Sequence, residues 1–203
     1  MELFAPRIYT ARGFVREHIL GGAKALDVGC GSRKLPGAIG VDIVKTPQVD
    51  VLHDLALFPW PFETNTFDLI FLNHALEHME ELLKTMSEIH RIARPGARIV
   101  IQVPYFRSAD AYTDPTHRHF FTSRSLDYFV EGTGCDEYRY VPIRFKKLGF
   151  WYGWPQRSRN SLRRALKGVM HRYPQWYDQY LSLLLPVDCL TWELEVIKDK
   201  DSN

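Results

Sequence analysis

The chain has 203 residues, of which 45% are apolar or aromatic and 25% are charged, enough for one globular core and incompatible with disorder of the bulk. A formal net charge of +2 argues against a surface built wholly to hold nucleic acid. Cys30, Cys135 and Cys189 stand far apart with no CxxC spacing, which excludes a disulfide framework and fits a reducing compartment.

At the N-terminus Glu2, Arg7, Arg12, Arg16 and Glu17 interrupt any long apolar run, so no secretory signal is read and a soluble, cytoplasmic protein is expected. Lys24 to Gly29 is short, apolar and stopped by glycine, as a buried parallel strand would be. Ala38 to Ile43 repeats that style, Val49 to Leu52 is a weaker third strand, and Phe67 to Leu72 is a fourth. Glu80 to Arg94 places Leu82, Leu83, Met86, Ile89, Ile92 and Ala93 at helical spacing before Pro95 and Gly96 end it. Arg98 to Val103 is the fifth strand. Thr122 or Ser123 is positioned to cap a helix carrying Leu126, Phe129 and Val130. Tyr138 to Phe150 reads as extended, Arg157 to Met170 as a basic amphipathic helix, Trp176 to Leu185 as another helix, and Leu190 to Lys198 as a last strand with one dominant apolar face. Only eight residues separate Gly29 from Ala38 and five separate Ile43 from Val49, too few for ordinary crossover helices. The first two crossovers are therefore expected to be shortened, with the third strand displaced.

The segment Leu26 to Ser32, LDVGCGS, puts glycines directly after a strand, where a chain that turns sharply and approaches a ligand closely cannot carry side chains. Asp42 ends the next strand, and neighbouring parallel strands bring their carboxyl ends to one edge, where a carboxylate can accept from two vicinal ribose hydroxyls. The third glycine of a dinucleotide fingerprint is missing, because Lys34 and then Pro36 and Gly37 stand where a phosphate-facing helix should run. A cofactor with an adenosine and no phosphate fits better.

Leu26 to Pro104 resembles the core of class I S-adenosylmethionine-dependent methyltransferases, in a branch related to small-molecule methyltransferases. LDVGCGS resembles their first motif and Val41 to Ile43 their acidic strand end; Phe58 to Phe62 with Asn65 to Ile70 resembles LPFPDNSFDLV, and Glu88 to Gly96 resembles EIxRVLKPGG. The resemblance implies an α/β, Rossmann-like three-layer sandwich with a mainly parallel sheet and a last antiparallel strand. One domain is expected over residues 1–203, with a basic helical insert at about 151–186. It also implies S-adenosylmethionine as cofactor. Gly29, Cys30 and Gly31 would line its methionine end, Asp27 would reach the amino group through water, and Asn73 would help through its carbonyl. Asp42 would take the ribose, Ile43 would lie on the adenine, and Asp54, with Leu55 beside it, would receive the adenine amino group.

His74 to His78 spells HxxEH, which on a helix supplies two zinc ligands and a carboxylate, so a zinc hydrolase is the remote rival. The plainer reading sets Glu77 near a helix N-terminus with His78 facing solvent or packing, and no metal is assigned. Tyr105 to His119 follows strand five at the ligand edge and carries aromatic and titratable groups suited to an acceptor pocket; its Asp114 to Phe121 portion resembles a DPTHxxFF stretch of uncharacterised methyltransferases. His117 and then His119 are the candidate bases for a hydroxyl or amine acceptor. A metal held among Asp114, His117, His119 and His74 is a minor alternative.

Between Tyr138 and Tyr177 ten Lys or Arg stand without an acid, leaving the remainder at −8. Arg157, Arg159, Arg163, Arg164, Lys167 and Arg172 accompany Leu162, Leu166, Val169 and Met170, with Trp151, Tyr152 and Trp154 before them. A solvated helix packed over the sheet comes first; an anionic acceptor, a membrane surface or RNA are the functional readings. The expected function is methyl transfer to a small or medium-sized acceptor by O- or N-methylation, the alternative being a non-catalytic domain that binds the cofactor or a partner.

Overall fold

The computed structural model describes Val15, residues 21–153 and residues 161–198, without the side chains of 161–166. The charged N-terminal residues, Trp154, Arg157 and Arg159 lie outside it, as do the side chains of Leu162, Arg163, Arg164 and Leu166.

Seven strands form one sheet: β1 (Ala25–Val28), β2 (Ile39–Asp42), β3 (Val51–Leu52), β4 (Phe67–Asn73), β5 (Ala93–Pro104), β6 (Arg144–Tyr152) and β7 (Cys189–Ile197). Their order is β3-β2-β1-β4-β5-β7-β6, a Rossmann-like α/β arrangement. The first five are parallel to their neighbours, and β7 runs antiparallel to both β5 and β6. Every residue of β1 is buried, as a short apolar run covered on both faces requires. β7 departs from the expected one-sided pattern. It lies inside the sheet, so its second face is buried too, and Glu193 there is met by Arg98 at 2.5 Å.

The two longer helices are α1 (Leu82–Ile92) and α2 (Ser161–Arg172). α1 buries Met86, Ile89 and Ile92 completely, each contributing about 1.5–3 kcal/mol of transfer free energy. Leu83, counted in the apolar stripe from sequence, is 40% exposed. Glu88 takes the inward position instead, because its carboxylate accepts the Trp60 amide at 2.6 Å and pairs with Arg91 at 2.5 Å. Arg91 also donates to the carbonyls of Trp60 and Phe62, so the third and fourth motifs lock one another together beneath the sheet. The main core joins α1 to Trp60, Tyr105, Phe121, Tyr152, Tyr177 and Trp192 on one face; a smaller one on the other face holds Val15, Leu35, Leu69, Phe71 and Val100.

Neither link between β1, β2 and β3 contains a helix. The expected displacement of the third strand does not occur: Val41 pairs with Val51 and Asp42 with Leu52. Three carboxylates hold these short links. Asp27 accepts the Leu35 amide at 2.7 Å; Asp42 accepts Gly31 at 2.8 Å and Val44 at 2.9 Å; Asp50 accepts Gly40 at 2.7 Å and Lys34 Nζ at 2.6 Å. β5 starts at Ala93, earlier than expected, with Gly96 at φ +76° inside an irregular pairing to β4.

Three other expectations fail. The helix placed after Thr122 is a turn with a 3-10 segment, Asp127–Phe129, because Phe121 bridges Tyr105, Val130 bridges Phe145 and the Ser123 amide goes to Asp178. The extended stretch from Tyr138 begins only at Arg144. The helix from Trp176 becomes a π turn at Tyr177–Leu181, which lets adjacent Tyr177 and Asp178 both point inward while Leu183 and Leu184 remain 75% exposed. Asp178 accepts from Tyr105 and Tyr152 at 2.8 Å each and from Ser123 Oγ at 2.7 Å, tying this segment to β5 and β6.

Candidate functional site

The carboxyl ends of β1, β2 and β4 open onto two contiguous clefts. The larger, about 610 Å³, is lined by Gly29, Asp42, Ile43, Asp54, Leu55, His74, Ala75, His78, Met79, Glu80 and Arg118 among others. The smaller, about 270 Å³, is lined by Asp27, Gly29, Cys30, Gly31, Asn73 and His74 together with Ser32 and Arg33. Gly29 and His74 face both. All nine residues picked from sequence for the cofactor therefore stand on the walls of these clefts.

Gly29 and Gly31 have φ of +67° and +54°, the left-handed region that glycine enters without steric cost. At Gly29 the space is also closed, because a Cβ there would lie 2.7 Å from the Cβ of Ala75. At Gly29 and Gly31 the turn after β1 thus presents bare backbone to the clefts. Burial, then the nearby Asp27 and Asp42, push the Cys30 thiol up to about 11, which disfavours its thiolate form. Asp42 is fixed by the two amides already described and presents its remaining lone pairs to the larger cleft. Ile43, 59% exposed, and buried Leu55 form the apolar part of that wall. Asp54 accepts the Ala56 amide at 2.9 Å, which holds the turn beside Leu55.

The histidines are arranged differently from the sequence reading. HxxEH does not lie on an α-helix: His74 has φ +54°, and only Leu76–His78 form a single 3-10 turn. The helical zinc-hydrolase geometry is not formed. Glu77 sits in the first turn of that 3-10 segment and is fully buried, and neither carboxylate oxygen has a hydrogen-bond partner. Its Oε1 lies 3.3 Å from His74 Nδ1 and 3.9 Å from His117 Nε2. His117 donates from Nδ1 to the Ala111 carbonyl at 3.0 Å, and its ring meets that of His78 with centroids 4.7 Å apart. Backbone amides of Arg118 and His119 donate to the Glu77 carbonyl at 2.8 and 3.2 Å, pinning the loop after β5 to the loop after β4. His117 and His119 do not line the larger cleft, whereas His74, His78 and Arg118 do. His119 packs edge-on toward Phe121, with Nε2 buried and unpartnered. Sequence reasoning missed Glu77; the usable signal was that β4 and β5 are neighbours, so their following loops must meet.

Among the described residues, no helix is long and apolar enough to cross a membrane. α2 reaches the main core through Met170, and His171 accepts the Tyr152 amide at 3.4 Å, which favours the packed-helix reading of the basic segment.

A demethylmenaquinone methyltransferase of Bacillus cereus (strain AH187) is 29% identical over 104 residues, an alignment covering 39% of this chain and 44% of that protein. The chain thus spans under half the length of the curated relatives it matches. Its fold is similar to that of an S-adenosylmethionine-dependent methyltransferase from Archaeoglobus fulgidus, with 17% identity, a TM-score of 0.55 and coverage of 91% of this chain and 92% of that one. A second such enzyme, from Mesorhizobium loti, gives 14% identity, a TM-score of 0.54 and coverage of 94% and 100%. The family described as "Methyltransferase domain" matches residues 11–138, more than half of the chain and the whole of the glycine turn, Asp42 and Glu77 region, and the chain accordingly belongs to the S-adenosylmethionine-dependent methyltransferase family.

Proposed function

We propose that the protein transfers a methyl group from S-adenosylmethionine to a small acceptor bound beside His78, Glu80 and Arg118. The observation that carries this reading is the continuity of the two clefts through Gly29 and His74. An extended molecule with a charged amino-acid end and an adenosine end fits such a pair. Its methionine end lies in the recess of Asp27, Cys30, Gly31 and Asn73, its ribose on Asp42, and its adenine against Ile43 and Leu55 near Asp54.

The reaction is an in-line displacement. A lone pair on the acceptor forms the new bond to the methyl carbon as the carbon–sulfur bond breaks and its electrons return to sulfur. Positioning supplies most of the gain, about 7–11 kcal/mol in well-oriented cases. His117 is preferred over His119 on the acceptor side, because it stands behind the cleft wall in one group with Glu77 and with His78, which lines it. It acts through that group and does not contact the acceptor. Arg118 pairs with Glu80 at 3.3 Å on the cleft wall, so an anionic acceptor would compete with that carboxylate for its guanidinium. The basic α2 is a packed helix in this reading and needs neither RNA nor a membrane surface.

Calorimetry with S-adenosylhomocysteine tests the cofactor part. One molecule per chain is expected, with affinity lost in Asp42→Ala at unchanged fold. Folded protein that takes up none overturns the reading. Methyl transfer to a panel of hydroxyl, amine and carboxylate acceptors tests the rest.

A further inference from the structure

We propose that Glu77, His78 and His117 form a binding site for a divalent metal ion of the zinc class, beside the acceptor cleft whose wall His78 lines. One ligand atom from each of the three lies within 4.8 Å of the others. The strongest sign is Glu77. It is fully buried, and both of its carboxylate oxygens lack hydrogen-bond partners. An ionised carboxylate kept that way is costly unless a cation meets it. The neighbouring imidazoles do not satisfy it by hydrogen bonding: His117 Nε2 is 3.9 Å away, and His74 at 3.3 Å is not aligned to donate.

Both histidines of the cluster are held in a ligating tautomer. His117 gives its Nδ1 proton to the Ala111 carbonyl, so Nε2 carries the free lone pair. His78 is fixed through a chain of two bonds. Thr116 Oγ1 gives its proton to Asp114 Oδ1 at 2.6 Å and therefore accepts one from His78 Nδ1 at 2.8 Å, which leaves Nε2 of His78 basic. A histidine oriented from behind by a carbonyl or a carboxylate-linked group is the outer arrangement that metal sites use. Two imidazoles and one carboxylate form a borderline-soft donor set that zinc takes in open sites. Its ligands come from a 3-10 turn and from the loop after β5, with His117 in the place that HxxEH would have given to His74.

The proposal rests on the methyl-transfer reading for its role. Because His78 lines the cleft, an open position of such an ion would take an acceptor hydroxyl oxygen bound there. The ion makes that hydroxyl proton easier to lose to water. The freed oxygen lone pair then bonds the methyl carbon, and the sulfonium leaves as a neutral thioether.

The test uses the untagged full chain after chelator treatment and dialysis. Calorimetry with Zn²⁺ is expected to give one ion per chain, and Co²⁺ to give visible absorption bands from a site of low coordination number. His117→Ala, His78→Ala and Glu77→Gln should each weaken binding by ~100-fold or more, and Thr116→Val, which only orients His78, by about 10-fold. Should Glu77→Gln fail to fold, the two histidine variants on loops carry the comparison. Absence of stoichiometric uptake by the parent protein, or His117→Ala binding within about threefold of it, overturns the site. S-adenosylhomocysteine is titrated into the same samples. Cofactor uptake without ion uptake rejects the metal site alone, and ion uptake without cofactor uptake supports it while rejecting the cofactor reading.

Discussion

The two halves of the sheet are held in different ways. From β4 to β6 the strands are long, covered by α1, α2 and a cluster of large aromatic side chains, and their stability comes from buried area. From β1 to β3 the strands are two to four residues long, the links carry no helix, and Asp27, Asp42 and Asp50 tie the loops by accepting backbone amides. Bonds to charged acceptors of this kind contribute about 1.5–3 kcal/mol each and depend on the carboxylate staying ionised. The thin half holds most of the walls of the two clefts proposed for the cofactor. Helices there would have covered the edge that backbone and carboxylates now leave open.

Substitutions sharpen the contrast. The largest loss is expected at Asp178, on which Tyr105, Tyr152 and Ser123 converge in the thick half. Asp178→Ala should cost about 3–5 kcal/mol, because the Tyr105 and Tyr152 hydroxyls and the Ser123 amide and hydroxyl lose a buried acceptor, and urea unfolding measures it. Binding of S-adenosylhomocysteine should survive in the folded fraction. Gly29→Ala should reverse that balance: the Cβ meets Ala75 and a left-handed φ, so stability falls by about 1–3 kcal/mol while cofactor affinity drops ~100-fold or more by calorimetry. Equal loss of stability and no loss of affinity would erase the distinction between the halves.

Asp42→Asn keeps the shape and removes the charge. It should weaken cofactor binding about 10-fold, the worth of one charge-assisted bond, and also lower the melting temperature, because the Gly31 and Val44 amides lose their charged acceptor. The smallest effect belongs to acid. Asp50, held below its ordinary range by Lys34 and the Gly40 amide, stabilises the fold at pH values above the free carboxylate value of 3.8. That contribution is lost as pH falls below 3.8 through the lowered folded value, and thermal melts of Asp50→Asn should be flatter there than those of the parent.

What could be read from sequence follows the same division. The glycine turn and Asp42 are legible because they act through backbone conformation and strand ends, both local properties. α1 is legible from its period, except at Leu83 and Glu88, where the distant Trp60 amide decides which side turns inward. The failed helix after Thr122 has its cause 55 residues away, in the Asp178 carboxylate that takes the Ser123 donors. Glu77 is illegible for a related reason. Acid residues stand mostly at surfaces, and only the meeting of two loops, sealed by the Arg118 and His119 amides, puts this one inside.

The unequal lengths of the outermost strands bear on crowding. β3 offers only two residues, too little backbone for another chain to pair with. β6 offers nine, but its border is interrupted by the bridge from Val130 to Phe145, kinked near Gly149, and studded with Arg144, exposed Lys146 and Lys147. A stray strand arriving at that border meets cations and a bend, which disfavours pairing edge to edge.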